Sequence, residues 1–343
     1  MSGQELNTEI IEVRDLASHD DFVSSLAFSP DGDLLVSTGA DGSATIHRSG
    51  GPFSSIKAHE GYVSKVAFSL TSSLFATGGI DGWIRVWDEG GDLVVERHAS
   101  GWVHDLAWRP GGDEVAAAIG RRVVRVIATG MNAPIHDPLG TQVTCLGWSG
   151  DGRRLLAGTY GGIHVFQGAN RPTQHFAWKG ALVTLAVSPD DSWVASGNQD
   201  ATMHCWKLWS GADLQMSGYQ GKIQHVSWDR SGRSLALADS GEISCWNFAG
   251  RGPKGTRPIT LSGHVRSIAG MGFSPARDNF LASAGRDGSL CLWCPQKSGR
   301  SLLSKHVFDD ELSALSWCPD GTKIALGSAS GKVRVVHLGG VDS

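Results

Sequence analysis

The sequence has 343 residues and a formal net charge of −4 at pH 7, so no overall positive charge is available to attract nucleic acid or an anionic membrane. Residues 1–20 are polar and acidic without the apolar core of a secretion signal, and no apolar run approaches the roughly 18 residues that a membrane-spanning helix needs. The six cysteines lie in or beside predicted strands, which indicates packed, reduced thiols rather than a disulfide framework. These features predict a cytoplasmic protein.

The predicted elements are short strands that recur along the chain. A first strand lies at 10–17. From residue 19 onward, runs rich in Val, Ile, Phe and Trp alternate with turns made of Asp, Gly and Pro, as in Pro30-Asp31-Gly32 and Asp81-Gly82. Residues that end the first strand of each repeat are spaced by 39 to 45 residues; they are Phe28, Phe68, Trp108, Trp148, Val187, Trp228, Phe273 and Trp317. Four antiparallel strands in about 40 residues form one blade of a β-propeller.

This period divides the chain into eight units. They are approximately 19–56, 57–97, 98–138, 139–178, 179–219, 220–262, 263–307 and 308–338, called units one to eight below. Unit eight stops after its third strand, whereas 10–17 is a strand without a unit of its own. We therefore expect the N-terminal strand to pair into the last blade and close the ring, since an open sheet edge invites aggregation. The prediction is an all-β fold, with one domain over 1–343 that forms a closed propeller of eight four-stranded antiparallel blades; seven blades are the alternative.

Unit two carries a set of polar residues that unit seven repeats. The set consists of His59, Thr77, Asp81 and Trp87, and its counterparts are His264, Ser283, Asp287 and Trp293. With the Trp87-Asp88 pair, these residues resemble the WD40 repeat. The resemblance implies that His, Ser or Thr, Asp and Trp form a hydrogen-bonded set within a blade.

Other units keep less of this set. Unit one has His47 where Trp is expected, and unit five has Lys179 where His is expected. Units three, four, six and eight lack most of the set, so we expect them to be held by apolar packing alone.

Neither a catalytic centre nor a metal site is predicted. A hydroxyl, a His and an Asp could be mistaken for a nucleophilic triad, but the set recurs with the repeat and no Gly-x-Ser-x-Gly elbow is present. Cys291 and Cys294 have Cys-x-x-Cys spacing, but strand positions three apart face opposite sides and no second pair completes a site. We expect no cofactor.

The resemblance implies a non-catalytic scaffold or adaptor that binds a protein or peptide and belongs to a larger complex. Propellers of this family bind on the face that carries the loops leading into each first strand. On that face, the residues that precede the first strands are Phe22, Tyr62, Trp102, Gln142, Leu182, Lys222, Ser267 and Leu312. Trp83, Arg121 and Arg286 are expected nearby. Since aromatic and Arg side chains dominate interface energetics, Phe22, Tyr62, Trp83, Trp102, Arg121 and Arg286 are the predicted partner-binding residues.

Two alternatives remain open. One is phosphate, nucleic-acid or phosphoinositide binding through basic loops, which contain Arg251, Lys254, Arg257, Lys297 and Arg300, with Arg153 and Arg154 on the same face. The other is a ligand-binding or enzymatic propeller that uses the central channel, where His104, Asp105, Gln224 and His225 interrupt the small and apolar first-strand residues.

Overall fold

The computed structural model describes residues 10–130, 136–168, 171–250, 252–297 and 301–339. These residues form short β-strands without any helix, which confirms the all-β prediction. The strands are β1 (Ile10–Asp15), β2 (Val23–Phe28), β3 (Leu34–Gly39), β4 (Ser43–Arg48), β5 (Ser54–Lys57), β6 (Val63–Phe68), β7 (Phe75–Gly79), β8 (Trp83–Trp87), β9 (Leu93–His98), β10 (Val103–Trp108), β11 (Glu114–Ile119), β12 (Arg122–Ile127), β13 (Val143–Trp148), β14 (Leu155–Phe166), β15 (Gln174–Val187), β16 (Trp193–Asn198), β17 (Met203–Lys207), β18 (Asp213–Met216), β19 (His225–Trp228), β20 (Ser234–Ala238), β21 (Glu242–Asn247), β22 (Ile259–Ser262), β23 (Ile268–Phe273), β24 (Leu281–Gly285), β25 (Ser289–Trp293), β26 (Leu302–Val307), β27 (Leu312–Trp317), β28 (Lys323–Ser328) and β29 (Val333–Leu338).

The described strands form seven hydrogen-bonded antiparallel sheets of a propeller, so the prediction of eight blades is corrected to seven. Five sheets have four strands each: β2–β5, β6–β9, β19–β22, β23–β26, and β27–β29 together with β1. A sixth sheet contains three described strands, β10–β12, and the seventh contains six, β13–β18.

The six-stranded sheet arises because two strands run through positions where the period predicts a break. The first half of β15 pairs with β14, and from Leu182 onward β15 pairs with β16. A pairing of Tyr160 with Ala181 connects the two ladders. Within β14, Gly161 and Gly162 have φ values of 107° and 126°, which lets this strand pair with β13 before the glycines and with β15 after them. Units four and five therefore share one sheet.

The hydrophobic core lies between neighbouring sheets. The first strand of each unit packs against the first strand of the next, in the order β2, β6, β10, β13, β15, β19, β23 and β27, and β27 packs against β2. Second strands such as β3, β7 and β24 are almost entirely buried, whereas the outermost strands such as β9 and β26 are largely exposed. This gradient explains why the first three strands of a unit are richer in apolar residues than the fourth.

Strand β1 pairs antiparallel with β29. The register places Val13 opposite Val336 and Ile10 opposite Leu338. Just beyond β1, the Leu16 amide donates to the Val333 carbonyl at 2.8 Å. Sheets of the first and last units also share an apolar cluster that contains Val23 and Val335, so they lie side by side.

Candidate partner-binding site

One face of the propeller is built by the segment that leads into each first strand and by the turn between the second and third strands of the preceding unit. His59 N donates to the Gly42 carbonyl at 2.9 Å, and Ala99 N donates to the Gly82 carbonyl at 3.0 Å. Gly82 has a φ of 77°, and a Cβ there would lie 2.4 Å from the Ala99 oxygen, so only glycine fits this contact. This face, which carries Phe22, Tyr62 and Trp102, is called the upper face below.

The polar set of unit two comes together beneath the upper face. His59 Nδ1 lies 2.8 Å from Asp81 Oδ1, and His59 Nε2 lies 2.8 Å from Thr77 Oγ1. Trp87 Nε1 donates to Thr77 Oγ1 at 2.9 Å. If the Thr77 hydroxyl donates to Nε2, then Nδ1–H donates to Asp81 and each polar hydrogen has an acceptor. The set therefore ties the segment before the first strand to the turn of the same unit.

The same arrangement occurs in unit seven. His264 Nε2 lies 2.7 Å from Ser283 Oγ, and its Nδ1 lies 3.2 Å from Asp287 Oδ1. Trp293 Nε1 donates to Ser283 Oγ at 2.8 Å, and Ser289 Oγ donates to Asp287 at 2.6 Å. In unit seven, the Ser289 hydroxyl therefore adds a hydrogen bond to the carboxylate of the set.

In unit one, His47 takes the place of the Trp. His47 Nε2 lies 2.9 Å from Ser37 Oγ, and His19 Nε2 lies 2.8 Å from the same oxygen. Burial and the nearby His19 lower the pKa of His47 to about 4, so it is neutral at pH 7. A neutral imidazole thus supplies a ring nitrogen where the indole would be.

Burial and hydrogen bonding set the charges in these sets. Burial lowers the pKa of His59 and His264 against the opposing effect of their Asp partners. Burial alone would raise the pKa of Asp81, but hydrogen bonds from His59 and from the backbone outweigh it, and the pKa is lowered. Each of these sets therefore contains a neutral His beside an ionised carboxylate. The hydroxyls of Thr77 and Ser283 are buried, so the arrangement is structural and exposes no nucleophile.

Units five and six differ from the sequence prediction. The register of β15 with β16 places Trp178, not Lys179, at the position of His59, because Leu182 pairs with Asn198 as Val63 pairs with Gly79. In unit six, Tyr219 occupies the corresponding position, and Trp246 Nε1 donates directly to its hydroxyl at 2.9 Å. A phenol thus replaces both the imidazole and the Ser or Thr.

A second kind of polar contact holds units three, four, six and eight, which were expected to rely on apolar packing alone. Each ends its first strand with Trp, and the indole donates to a carbonyl in the first strand of the preceding unit. The bonds are Trp108 to Ala67 at 2.9 Å, Trp148 to Ala107 at 3.0 Å, Trp228 to Ala186 at 3.1 Å and Trp317 to Gly272 at 2.8 Å. Units one, two, five and seven have Phe or Val at this position.

The change Trp108→Phe should lower the free energy of unfolding by about 1–3 kcal/mol, since it removes the inter-unit hydrogen bond and leaves a small cavity. Urea unfolding followed by circular dichroism measures this change. Trp102→Phe, the same substitution at an exposed site, should change stability by less than about 0.5 kcal/mol. Equal effects for the two variants would contradict a role for the indole bond.

Aromatic side chains project from the upper face on three successive units. The rings of Phe22 and Tyr62 lie 5.6 Å apart between centroids. Phe22 is 38% exposed, Tyr62 is half-buried and Trp102 is 61% exposed. These three residues, at equivalent positions of units one to three, are called the aromatic patch below.

The remaining predicted site residues divide into two groups. Arg121 and Arg286 are exposed in turns of the upper face. Trp83 is half-buried and packs against two residues of unit two. The centroid of its ring lies 5.1 Å from that of His98 and 4.9 Å from the Arg85 guanidinium carbon. Trp83 thus packs at the outer part of unit two, and we do not place it in the aromatic patch.

The register also corrects two upper-face positions. Leu182 and Leu312 are the buried first residues of their ladders, so Ala181 and Glu311 are the residues that precede them. Gln142 and Lys222 are exposed, and Ser267 is half-buried. Tyr160, which is 60% exposed in the turn within β14, is an upper-face aromatic that the sequence prediction missed. The Tyr-Gly-Gly turn at 160–162 was its available signal.

Five segments of the chain match a known repeat family. The family model described as "WD domain, G-beta repeat" matches residues 11–48, 50–88, 171–207, 255–294 and 298–337, which together are more than half of the chain. The chain belongs to the WD40 family. The two units with complete polar sets fall largely within matched segments, and unit three falls outside them.

Relatives of this WD40 protein include subunits of known complexes. THO complex subunit 3 of Arabidopsis thaliana is 24% identical over 36% of this chain and 39% of its own length. The guanine nucleotide-binding protein subunit beta of Oryza sativa subsp. japonica is 22% identical over 48% and 45%, and Protein hir1 of Schizosaccharomyces pombe is 26% identical over 58% and 23%. The matched region thus spans less than half the length of each of these relatives.

The fold is also that of a designed protein. The crystal structure of the computationally designed Ika8 protein has a TM-score of 0.80 with 21% identity, and the match covers 94% of this chain and 98% of that one. Among the residues described above, none forms a helix of the length and apolarity needed to cross a bilayer.

Two of the polar residues predicted to line the channel, His104 and Asp105, contact residues of neighbouring units. Gln142 Nε2 lies 2.6 Å from His104 Nε2. Asp105 of unit three lies 3.5 Å from Lys65 Nζ of unit two and accepts the Leu146 amide of unit four at 2.9 Å, so it contacts both neighbouring units. Burial lowers the pKa of His225 to about 4. His104 and Asp105 therefore have structural partners.

On the face opposite the upper face, called the lower face below, the predicted basic loops are partly described. Lys254 and Arg257 are exposed and Lys297 is half-buried, whereas Arg251 and Arg300 lie outside the described residues. In unit four, Arg153 is exposed, and the Arg154 guanidinium lies 3.6 Å from the ring centroid of Trp209. Within the described ranges, no group of three or more His, Cys, Asp or Glu residues could hold a metal ion.

Proposed function

We propose that this WD40 propeller is a non-catalytic scaffold that binds a protein or peptide on its upper face, over units one to three, and thereby supports the assembly of a complex. The observation that carries this proposal is the aromatic patch. Phe22, Tyr62 and Trp102 occupy equivalent positions in three consecutive units, and the largest of them is 61% exposed.

Exposure of this kind has a free-energy consequence. A large aromatic side chain left in water forgoes the roughly 25 cal/mol per Å² that burial of apolar surface provides. Covering it with a partner recovers part of that energy, and Trp and Tyr are the residues most enriched at interface hot spots. The rigid strands β2, β6 and β10 below the patch would hold the rings in place without a large loss of entropy on binding.

Charges beside the patch favour a partner segment of a particular kind. Asp20 and Asp21 lie next to Phe22, and Glu60 lies two residues before Tyr62; all three are exposed. Over units one and two, complementarity therefore favours a segment that places Lys or Arg beside an apolar anchor, whereas the exposed Arg121 favours an acidic group over unit three. Two relatives are named as subunits of complexes, which supports a protein partner, and a cytoplasmic location remains part of the proposal.

The test is capture of partners from a native extract by the full chain, followed by mass spectrometry. Trp102→Ala combined with Tyr62→Ala should reduce recovery of a specific partner at least tenfold, because both anchors of the patch are truncated. Phe53→Ala, at a side chain that is 60% exposed near the lower face, is the matched control and should leave recovery unchanged.

Melting curves separate binding from folding in this experiment. Trp102→Ala alone should change the melting temperature by less than about 2 °C, since surface substitutions are usually worth less than about 0.5 kcal/mol. Full recovery of every partner by the double variant would overturn the proposed site.

We also propose that β1 acts as a latch that closes the ring. Its pairing with β29 and the apolar contacts between the first and last units support this role. The latch would keep the segment around Phe22 in register with the rest of the upper face.

A further inference from the structure

A second site lies on the lower face, at the junction of units three and four. A cavity of about 260 Å³ opens there, lined by Arg109, Arg125, Trp148, Arg153 and Gln167 among others. Since one water occupies about 30 Å³ in the liquid, the cavity has room for a ligand group of several heavy atoms. It is far in sequence from the basic loops of units six and seven and opens away from the aromatic patch.

Its guanidinium groups are held around one indole ring. The Arg109 and Arg125 guanidinium carbons lie 5.9 Å and 6.0 Å from the Trp148 ring centroid. Trp148 is fixed by its hydrogen bond to Ala107, and Arg109 Nε donates to the Gly152 carbonyl at 2.8 Å. Two cationic groups are thus placed before any ligand arrives, which lowers the ordering cost of binding.

The charges that face the cavity leave it net positive. Glu114 is buried and accepts two hydrogen bonds from Arg125, one of them from Nη2 at 2.7 Å. Arg109 Nη1 lies 3.8 Å from the same carboxylate. Asp151 is 3.8 Å from Arg153 Nε, but its Oδ1 is occupied by the Ser149 hydroxyl and the Arg153 amide within its own turn. Three guanidinium groups therefore face two carboxylates that already have partners.

Of the three arginines, two retain donors for a ligand. Arg125 uses its fork on Glu114, whereas the Arg109 side chain is 42% exposed and that of Arg153 is 77% exposed. Arginine forks match the geometry of phosphate oxygens, and a compact dianion gains most from a site with excess positive charge. We propose that this cavity binds the phosphate group of a phosphate monoester, with Arg109 and Arg153 as the direct contacts and Trp148 as one wall.

The experiment is isothermal titration of the full chain at pH 8 with O-phospho-L-serine and, separately, with inorganic phosphate, at ionic strength kept constant with sodium chloride. Saturable binding at one site per chain is expected for phosphoserine. Arg153→Glu should weaken it at least tenfold, because the variant places a negative charge beside the dianion. Arg109→Gln should weaken it in the same direction.

Arg171→Glu is the matched control, since it makes the same change in net charge at a side chain that is 83% exposed and outside the cavity lining. It should retain wild-type affinity. Tighter binding of phosphoserine than of phosphate would indicate a phosphorylated side chain as the source, and equal binding would indicate free phosphate. No saturable binding, equal weakening in the Arg171→Glu control, or equal binding of acetate would each overturn the proposal.

Discussion

Deletion of residues 1–17 should lower the free energy of unfolding by several kcal/mol and cause the protein to self-associate. The deletion removes β1 from the sheet of the last unit, so the backbone groups of β29 that face β1 become an unpaired edge. It also removes Leu16, which packs against the apolar cluster between the first and last units. Arg334 is buried and would lose its bond to Asp15, although it keeps Asp309 at 2.8 Å.

Urea unfolding and light scattering after size-exclusion chromatography measure these two effects. Arg14→Ala is the matched control, because it truncates an exposed side chain of β1 without changing the backbone pairing. A synthetic peptide of residues 8–18 added in excess should restore much of the stability by pairing with β29, since any ligand that binds only the folded state stabilises it. A deletion variant that stays monomeric with unchanged stability would show that β1 is not a latch.

Thr77→Val should lower the free energy of unfolding by about 2–4 kcal/mol. The two side chains have nearly the same shape, but valine offers no partner to His59 Nε2 and Trp87 Nε1, both of which meet Thr77 Oγ1 inside the protein. A buried polar group left without a partner costs about 1–3 kcal/mol, and here two groups are affected. The segment before β6 would also lose part of its attachment to the Asp81 turn.

Chemical denaturation gives the change in stability, and Thr260→Val on the exposed strand β22 is the control for the substitution itself. That control should change stability by less than about 0.5 kcal/mol. Thr77→Val combined with Ser283→Ala should give nearly additive losses, since the two polar sets lie in separate units. A loss no larger than that of the control would show that the polar set contributes little to the fold.

The period and the polar sets of units two and seven could be read from the sequence because each depends on local spacing. The contacts that hold units three, four, six and eight, which lack most of the polar set, could not be predicted from the sequence. The Trp residues that end four first strands were visible, but their indole bonds to the preceding unit depend on how neighbouring sheets pack. Similarly, Tyr219 replaces a His through a direct bond to Trp246 that no motif describes.

The predicted number of blades, eight instead of seven, was wrong for a related reason. A strand ends where the backbone stops pairing, and the segment between Phe176 and Leu182 keeps a partner because Ala181 pairs with Tyr160. Because that pairing joins residues of two neighbouring units, the spacing of the repeats along the sequence does not reveal it. The candidate site shows the same limit: the positions of Phe22, Tyr62 and Trp102 followed from the repeat, whereas the burial of Trp83 against Arg85 and His98 required the three-dimensional structure.

The pairing of β1 with β29 places Ile10 directly opposite Leu338. Paired residues of antiparallel strands lie about 5 Å apart, so a linker of only a few residues could join them. A circular permutant made in this way, with new ends in the exposed loop near Gly50 and Gly51, would make the first and last strands a continuous hairpin. Its closure would then be covalent, and both new ends would lie on the side of the propeller away from the aromatic rings.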